Sequence, residues 1–355
     1  MAASGTIDAT VVRTGQIIDT AFRRCRVKSS LITQEMVDVA KLQLYTELSS
    51  LPNKGRLLWT IRESLVGLKL ATSQYTLPAG VVDVDKCFYR TVTRESGGTA
   101  SSSAGGTAAN AFDGDVDTVC TQTVANGNIS YAFATSTTVT IVGVMSYGTY
   151  TWQLAFQSST DGVSWTTVYT PSSQAYTDGL FTWFAITSPL AGTYFRCVVS
   201  GGGTLIVREL VFGTSPTDGE LARMNQDDFT SLPNRTFQGD PNQFWMERLY
   251  SSVLLNVWPT PNNVFRLLVV WNRRYIMDVG QLYDSLEVPR RWIDAIQWAL
   301  AWRVYHELPD EVVKFDGQYL AYLGTMMKSS QGEAFDEERD RSPVKFGPRI
   351  GCYTS

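Results

Sequence analysis

The stretch SSTDGVSWTTVYT, residues 158–170, decides the fold class of the middle of this chain. Asp161 and Gly162 form a turn dipeptide, and β-branched or aromatic residues follow it. Such residues favour extended backbone, and an Asp-Gly pair accepts the backbone conformations that hairpin turns require. The stretch therefore predicts two antiparallel strands joined by a tight turn, with Trp165 beyond the turn.

The surrounding segment, residues 96–214, repeats this alternation of short strands and turn signals. Its candidate strands are NISYAF, TVTIVGVM, TWQLAFQSS, WTTVYT, FTWFAI, TYFRCVV and TLIVRELVF. Short β-branched and aromatic runs at this spacing predict an antiparallel β-sandwich rather than helices.

The charge content of this segment differs from that of its flanks. Residues 96–214 hold 2 basic and 6 acidic side chains, whereas residues 1–95 hold 13 and 9, and residues 215–355 hold 15 and 19. The run SGGTASSSAGG, residues 96–106, is typical of a flexible linker, and GTSPTDG, residues 213–219, is a candidate exit. We therefore interpret residues 96–214 as a domain inserted into a host chain.

The flanks predict helices and a small β-sheet. Helical periodicity begins near residue 8 and again after Thr33, and LLNVWPTP and VFRLLVVWNRR read as a hairpin with WPTPNN as its turn. A helix that starts at Pro289 is apolar around nearly its whole circumference, so we expect it to be buried on several sides. The predicted class is α+β multidomain: a helical core with a small sheet (1–95 and 215–340), interrupted by the sandwich and followed by an extended tail (341–355).

Composition argues against several classes of function. His306 is the single histidine, and no GxSxG or phosphate-binding loop occurs, so we expect no enzyme. The five cysteines are widely spaced and form no CxxC pair, which favours a reducing compartment over a disulfide scaffold or a zinc site. A net charge of −4 gives no general attraction to nucleic acid or to acidic lipid. We expect no signal peptide and no membrane insertion, because no apolar run approaches the ~20 residues of a bilayer span.

The middle segment resembles the discoidin, or coagulation-factor C-type, family, which includes carbohydrate-binding modules. The resemblance rests on AFDGDVDTVCTQT (111–123), on SSTDGVSWTTV and on the closing runs FRCVV and VRELVF, and it covers most of residues 104–213. It implies a jelly-roll sandwich with sugar binding as a candidate activity. Cys120 departs from the family, which has tryptophan at the corresponding position.

Two groups of candidate site residues follow within this segment. Asp113, Asp115 and Asp117 could join Glu209 as oxygen ligands of calcium, as in related modules; the alternative is an Asx-turn that bonds only local backbone. Trp165 is a candidate glycan contact, and packing in the core is the alternative for the tryptophans of the segment. No other cofactor is expected.

The flanks together resemble the head-to-tail adaptor proteins of short-tailed bacteriophages. The resemblance rests on the order of six segments: LITQEMVDVAKLQLYTELSSLPN, YTLPAGVVDVDKCFYR, DDFTSLPNRTFQGDP, WPTPNNVFRLLVVWNRR, VPRRWIDAIQWALAWRVYHELP and ERDRSPVKFGPRIGCY. It implies a structural virion protein, assembled in the host cytoplasm, that forms a dodecameric ring between the portal protein and the tail nozzle protein. Genomic DNA would pass through the ring without sequence recognition.

The same resemblance implies contacts for particular residues. The C-terminal tail would dock on the portal through Phe346, Pro348, Ile350 and Tyr353. Arg273, Arg274, Arg290 and Arg291 are candidate contacts to a partner or to DNA, with solvated or intersubunit pairing as the alternative. The sandwich would point outward, towards tail fibres or host glycans. The alternative function is a glycan-binding, lectin-like protein with helical oligomerisation segments.

Overall fold

The computed structural model describes residues 12–54, 60–103, 105–200, 203–249, 252–276 and 281–338. The chain divides into two compact units, one formed by Met1–Ile61 with Tyr275–Ser355 and the other by Arg62–Arg274. The helices are α1 (Thr14–Arg24), α2 (Gln34–Lys54), α3 (Gln226–Thr230), α4 (Arg290–Tyr305) and α5 (Gly317–Glu338). No described helix combines the length and the apolarity that a bilayer crossing requires.

Helix α4 is the centre of the helical unit and contacts α1, α2 and α5. It begins directly after Pro289, as the sequence predicts. Trp292, Ile296, Leu300 and Val304 are buried along its length, because neighbouring helices cover it on several sides. The prediction of a helix without a solvent face is therefore confirmed for most of the circumference.

A buried carboxylate links three helices of this unit. Glu47 on α2 is 1% exposed, and its Oε2 accepts a hydrogen bond from Arg303 Nε on α4 at 2.8 Å. Its Oε1 accepts a second hydrogen bond from Gln331 Nε2 on α5 at 3.0 Å. Both carboxylate oxygens are thus satisfied, which is the condition under which a buried charge is tolerated.

The second unit is built mainly from β-strands. The described strands are β1 (Ile61–Gly67), β2 (Gln74–Thr76), β3 (Val81–Thr93), β4 (Thr99–Ser102), β5 (Cys120–Gln122), β6 (Asn128–Thr138), β7 (Ile141–Ser146), β8 (Tyr150–Ser159), β9 (Thr166–Tyr169), β10 (Gln174–Tyr176), β11 (Phe181–Ala185), β12 (Ala191–Ser200), β13 (Leu205–Glu220), β14 (Ala222–Arg223), β15 (Gln238–Gly239), β16 (Gln243–Arg248), β17 (Val253–Trp258), β18 (Thr260–Pro261) and β19 (Leu267–Arg274).

The predicted antiparallel sandwich is confirmed. One sheet has the order β10-β8-β12-β6-β4, with β9 added to β8, and the facing sheet contains β5, β13, β7 and β11. Side chains that alternate along the strands fill the space between the sheets, among them Phe156, Tyr176, Phe195 and Phe212. Most of these strands coincide with the short β-branched and aromatic runs that the sequence analysis identified.

Strand β13 runs from the sandwich into the host sheet without a break. Its first half pairs with β5 and β7, and its second half pairs with β3, where Thr214 lies opposite Thr93 and Glu220 opposite Phe88. Beyond β3 the same sheet continues through β19 to β1. The chain therefore enters and leaves the sandwich through two neighbouring antiparallel strands.

The sandwich and the host strands share an apolar core. Phe181 and Trp183 of β11 lie in one cluster with Val92 of β3 and with Leu267 and Val269 of β19. Contact is close enough that a Cβ on Gly67 of β1 would lie 2.0 Å from the carbonyl oxygen of Phe181. Any larger residue at position 67 would force these two strands apart.

Three expectations from the sequence are wrong in detail. Residues 99–102 of the predicted linker form β4, which pairs with β6, and the predicted exit 213–219 lies inside β13. The predicted hairpin of LLNVWPTP with VFRLLVVWNRR does not form, since β17 pairs with β16 and β2 whereas β19 pairs with β3.

The expected class, a helical core with a small sheet, also needs correction. Nine of the nineteen described strands lie outside residues 96–214, and most of the described chain is β structure with few helices. The domain boundaries at residues 96 and 214 remain a prediction. Near these positions β3 and β13 pair continuously at the base of the sandwich.

Replacing Glu47 by Ala is expected to lower the free energy of unfolding of the helical unit by about 3–5 kcal/mol, because Arg303 would lose its buried partner. Chemical denaturation followed by far-ultraviolet circular dichroism measures the change. The control is Glu35→Ala, an exposed glutamate near the start of the same helix. Equal stability of the two variants would contradict the structural role of Glu47.

Replacing Trp183 by Ala is expected to cost about 3–5 kcal/mol, the range for deletion of a large buried aromatic side chain. Because the cluster is shared, hydrogen exchange should accelerate both in sandwich strand β7 and in host strand β19, which both contribute residues to it. The control is Trp165→Ala, at a half-exposed position. Faster exchange confined to β7 would show that the two parts unfold independently.

Candidate functional site

A β-bulge in β13 organises one end of the sandwich. Val207 lies opposite Ser146 of β7, and Glu209 lies opposite Met145, so Arg208 is the extra residue on the bulged strand. A bulge bends the strand and redirects side chains. As a result, the consecutive residues Arg208 and Glu209 both bind the loop 113–118: Arg208 Nη1 donates to the carbonyl of Val116 at 3.0 Å, and Gly114 N–H donates to Glu209 Oε1 at 2.7 Å.

This loop gathers oxygen atoms around the hydroxyl of Thr118. Thr118 Oγ1 lies 3.1 Å from the carbonyl oxygen of Asn110, 3.0 Å from that of Asp115, and 3.2 and 3.0 Å from the two carboxylate oxygens of Asp113. A hydroxyl carries one proton and can donate to only one of these four acceptors. The Asp115 carbonyl also accepts from Thr118 N–H at 3.1 Å, and Asp113 Oδ1 accepts from Asp115 N–H at 2.9 Å, so donors of the loop itself satisfy several of these acceptors. Carboxylate and carbonyl oxygens are also the ligands that calcium prefers.

The neighbouring carboxyl groups are short of positive charge. Burial raises the pKa of Glu209 to about 8, and Asp113 adds to this rise, while Arg94 opposes it from 3.5 Å. Burial also raises the pKa of Glu95, which shares the same arginine at 3.6 Å. Arg94 in addition lies over the ring of Phe265. One guanidinium thus lies beside two buried carboxyls, Glu95 and Glu209.

The structure brings together some of the four predicted calcium ligands. Asp113 and Glu209 contribute side-chain oxygens to this region, whereas Asp115 contributes its backbone carbonyl. Asp113 Oδ1 also accepts from Asp115 N–H, and Asp115 Oδ1 accepts from Asp117 N–H, which are the Asx-turn bonds of the alternative interpretation. The described contacts of Asp117 place only its backbone in this loop. Among the described residues no set of three or more His, Cys, Asp or Glu side chains could hold a metal ion.

Sequence reasoning missed Asn110 and Thr118 as candidate donors. Asn110 would contribute a backbone carbonyl, for which no side chain is diagnostic. Thr118 was not singled out because a lone threonine is not diagnostic of a metal site. Calcium binding at this loop stays a prediction, and the Asx-turn bonds of the alternative interpretation are present.

On the other side of the bulge, Arg208 joins an exposed aromatic ring. The guanidinium carbon lies 4.8 Å from the centre of the Tyr147 ring, and Tyr147 is 47% exposed. Arg208 Nε donates to Asp178 Oδ1 at 3.3 Å, and Gly148 N–H donates to the same oxygen at 2.9 Å. The bond from Gly148, followed by the nearby Arg208, holds the pKa of Asp178 below its usual range. We call Tyr147, Arg208 and Asp178 the ring–guanidinium surface.

Trp165 lies in a different arrangement. The guanidinium carbon of Arg196 sits 4.0 Å from its ring centre, and Gln157 Oε1 accepts from Arg196 Nε at 2.7 Å, so one face of the indole is covered. Trp152 and Trp183 are each 5% exposed and pack in apolar clusters, as the alternative interpretation expected. The ring–guanidinium surface was missed because nothing in the sequence marks the bulge at Arg208.

Asp161 holds the tight turn within residues 158–170 through its side chain. Its Oδ1 accepts from the N–H groups of Val163 and Ser164, both at 2.8 Å, and from Ser159 Oγ at 2.9 Å. The bond from Val163 is the largest cause that lowers the pKa of Asp161 to about 2. Asp161 is thus a structural residue of the turn.

The remaining predicted contacts are dispersed. Arg273 donates to Asp85 Oδ1 at 2.7 Å, and Arg290 and Arg291 form the first residues of α4. Arg274 ends β19. The predicted portal contacts Phe346, Pro348, Ile350 and Tyr353 lie outside the described residues.

Comparisons with known proteins concern the sandwich. No family model matches the sequence, and no curated protein matches it significantly. The chain is similar to the family 32 carbohydrate-binding module of C. perfringens NanJ, solved with galactose (17% identity, TM-score 0.31), over 35% of this chain and 99% of the other. It is also similar to the corresponding module of AlyQ, solved with 4,5-unsaturated mannuronic acid (20% identity, TM-score 0.31), over the same shares.

A chitosan-binding module from a Paenibacillus sp. IK-5 chitosanase/glucanase is similar at 26% identity and TM-score 0.28, over 33% of this chain and 95% of the other. All three similarities involve about a third of the chain. The strand pairing described above defines the middle of the chain as an antiparallel β-sandwich. The solved structures to which the chain is similar here are carbohydrate-binding modules. None of these three proteins is a head-to-tail adaptor.

Calcium is expected to raise the melting temperature of the protein relative to the same sample in EGTA. An ion at 100 times its dissociation constant would stabilise the fold by about 2.7 kcal/mol. Asp113→Asn and Thr118→Val should each reduce the shift, because each removes an oxygen or its geometry from the loop. Asp117→Asn is the matched control and should keep the full response. Identical melting with calcium and with EGTA would contradict a calcium site.

Proposed function

We propose that the β-sandwich binds a glycan at the ring–guanidinium surface. The main observation behind this proposal is the exposed ring of Tyr147. It lies beside the guanidinium of Arg208, which is bonded to the carboxylate of Asp178. Sugar rings present apolar C–H faces together with hydroxyl groups. An aromatic ring covers the former, and charged side chains exchange hydrogen bonds with the latter.

Preorganisation supports this choice of surface. Arg208 is fixed by Val116 on one side and by Asp178 on the other, and Asp178 is fixed by Gly148. Side chains that are ordered before binding lose less conformational entropy when a ligand arrives. Because Arg208 and Asp178 offset each other in charge, the surface suits a neutral sugar with adjacent hydroxyl groups.

Trp165 is the weaker candidate for this contact. A sugar that stacks on the face now covered by Arg196 would have to displace a guanidinium that also bonds Gln157. Arg208 likewise lies over the Tyr147 ring, at 4.8 Å, but Tyr147 is 47% exposed and so offers more free ring area than the half-buried Trp165. The two positions therefore separate cleanly in a mutational experiment.

We further propose that the host is a head-to-tail adaptor of a short-tailed bacteriophage virion. This proposal rests on the order of the flanking sequence segments. In the structure Thr93 and Thr214 are paired neighbours, so the sandwich extends a host hairpin. A module added at a hairpin end leaves the host sheet intact. The partners come from the sequence resemblance: a homo-oligomeric ring, with twelve copies as the expected number, the portal protein, the tail nozzle protein and the passing DNA.

Within this proposal the roles are structural, and no catalytic activity is assigned. The tail with Phe346, Pro348, Ile350 and Tyr353 would dock on the portal, and the sandwich would face fibres or host glycans. Several weak sites on one ring would bind a surface jointly, provided that their spacing allows it.

Glycan-array screening of the full chain is expected to identify sugars with micromolar to millimolar affinity, and calorimetric titration with the best one tests the site. Tyr147→Ala and Arg208→Ala should each weaken binding by about tenfold or more, which corresponds to about 1.4 kcal/mol. Trp165→Ala is the matched aromatic control and should bind like the wild type. Loss of binding in the Trp165 variant alone would reject the ring–guanidinium surface.

Negative-stain electron microscopy tests the adaptor. Purified protein, alone or with the portal protein of the same genome, is expected to form rings or ring-on-ring particles. Removal of residues 342–355 should weaken portal binding in a pull-down without changing the circular dichroism spectrum. Compact monomers that do not bind the portal protein would contradict the adaptor proposal. The glycan-binding proposal would then stand alone.

A further inference from the structure

One end of the helical unit carries an apolar cleft with an acidic rim. The cleft lies where α1 and α4 end and α2 begins, and it has a volume of about 280 Å³. Phe22, Met36 and Val304 line its floor, and Glu35, Glu307 and Glu311 stand on its rim. All three glutamates are exposed, and among the described residues none of them forms an ion pair. The cleft therefore offers apolar surface together with uncompensated negative charge.

The same end carries a basic and aromatic surface. Arg26 and Lys28 are exposed at the end of α1, and neither forms an ion pair within the described part of the chain. The guanidinium carbon of Arg26 lies 3.8 Å from the ring centre of Tyr319, at the start of α5. Tyr322 stacks on Tyr319 with ring centres 5.7 Å apart.

Arg26 occupies a backbone position that disfavours it. It has φ +62, and the N–H groups of Arg26 and Val27 donate to the carbonyls of Arg23 and Phe22, the bonds of a helix C-terminal motif in which glycine is preferred. Glycine here would lack the side chain that covers Tyr319. Arg26 therefore places a positive charge on this surface from a backbone conformation that side chains other than glycine rarely adopt.

Large apolar side chains are also exposed at this end. Leu31, Phe315 and Tyr322 are 43%, 54% and 48% exposed. Single exposed apolar residues are ordinary, but three of them beside an apolar cleft and two unpaired sets of opposite charge are typical of an interaction surface. The basic and acidic sets do not pair with each other inside one copy.

We propose that this end of the helical unit binds a second copy of the chain, with Arg26 and Lys28 of one copy against Glu35, Glu307 and Glu311 of the other. Pairing between copies satisfies charges that stay unpaired within one. It also covers the cleft and the exposed apolar side chains. A nucleic acid or an anionic membrane would meet the three glutamates and be repelled, so a protein surface of mixed charge fits better.

The inference goes beyond glycan binding and beyond the adaptor, because contact between the same end of two copies pairs them and does not build a ring of twelve. Reversing the charges tests it in the full chain. The variant Arg26→Glu/Lys28→Glu makes the surface wholly acidic, and Glu307→Lys/Glu311→Lys makes it mostly basic. Sedimentation velocity at low salt is expected to show association at least tenfold weaker for each variant alone. An equimolar mixture should regain wild-type association, because opposite surfaces then face each other.

Matched controls carry the same charge changes elsewhere on the helical unit. Lys41→Glu/Lys328→Glu and Glu333→Lys/Glu337→Lys should associate like the wild type, and circular dichroism should show that all variants fold. Salt should weaken wild-type association, since exposed charges are screened. A monomeric wild type, reversed variants that associate normally, or a mixture that stays dissociated would each overturn the proposal. In the last two cases rings seen by microscopy would still support an adaptor that assembles through another surface.

Discussion

Strand β13 is the element on which the β unit depends, because one continuous backbone belongs to both the sandwich and the host sheet. Its first half closes the sandwich against β5 and β7, and its second half completes the host sheet against β3. A strand satisfies its N–H and C=O groups only through its neighbours, so the register of either half constrains the other. The apolar cluster around Phe181, Trp183 and Leu267 adds side-chain packing across the same junction.

The bulge at Arg208 turns this structural strand into the organiser of the candidate site. A regular strand would alternate Arg208 and Glu209 between opposite faces. The extra residue instead lets both side chains bind the loop 113–118, one through Val116 and the other through Gly114. The oxygen cluster around Thr118 and the ring–guanidinium surface are thereby attached to the same short loop. Order in one is expected to favour order in the other.

The sequence predicts the sandwich well, but it predicts the candidate site of the sandwich poorly. Asp161-Gly162 and the β-branched and aromatic runs between turn signals predict the sandwich, because turn chemistry and β propensity are local properties. The strand at Thr99–Ser102 was hidden by glycine and serine, whose composition suggests a linker although the backbone still pairs with β6. The hairpin assigned to LLNVWPTP failed because the choice of strand partner depends on distant segments, here β2 and β16.

Residues of the candidate site could be predicted from the sequence only where their side chains, and not their backbone atoms, make the contacts. Asp113 and Glu209 could be named in advance, whereas the carbonyls of Asn110 and Asp115 belong to the backbone and leave no trace in residue type. Glu47 looked like one more charged residue on a helix. Its burial between Arg303 and Gln331 follows from the packing of three helices that are far apart in sequence.

The paired strands at the base of the sandwich have a mechanical consequence. A domain that hangs on a single flexible linker can swivel freely, and a pull on it is borne by one chain. Here β3 and β13 leave the sandwich side by side, joined by hydrogen bonds from Thr93 opposite Thr214 to Phe88 opposite Glu220. A pull on the sandwich would be shared by two covalent backbones that run in parallel with the load, and their ladder resists torsion. Such a mounting suits a module that must transmit force to its host.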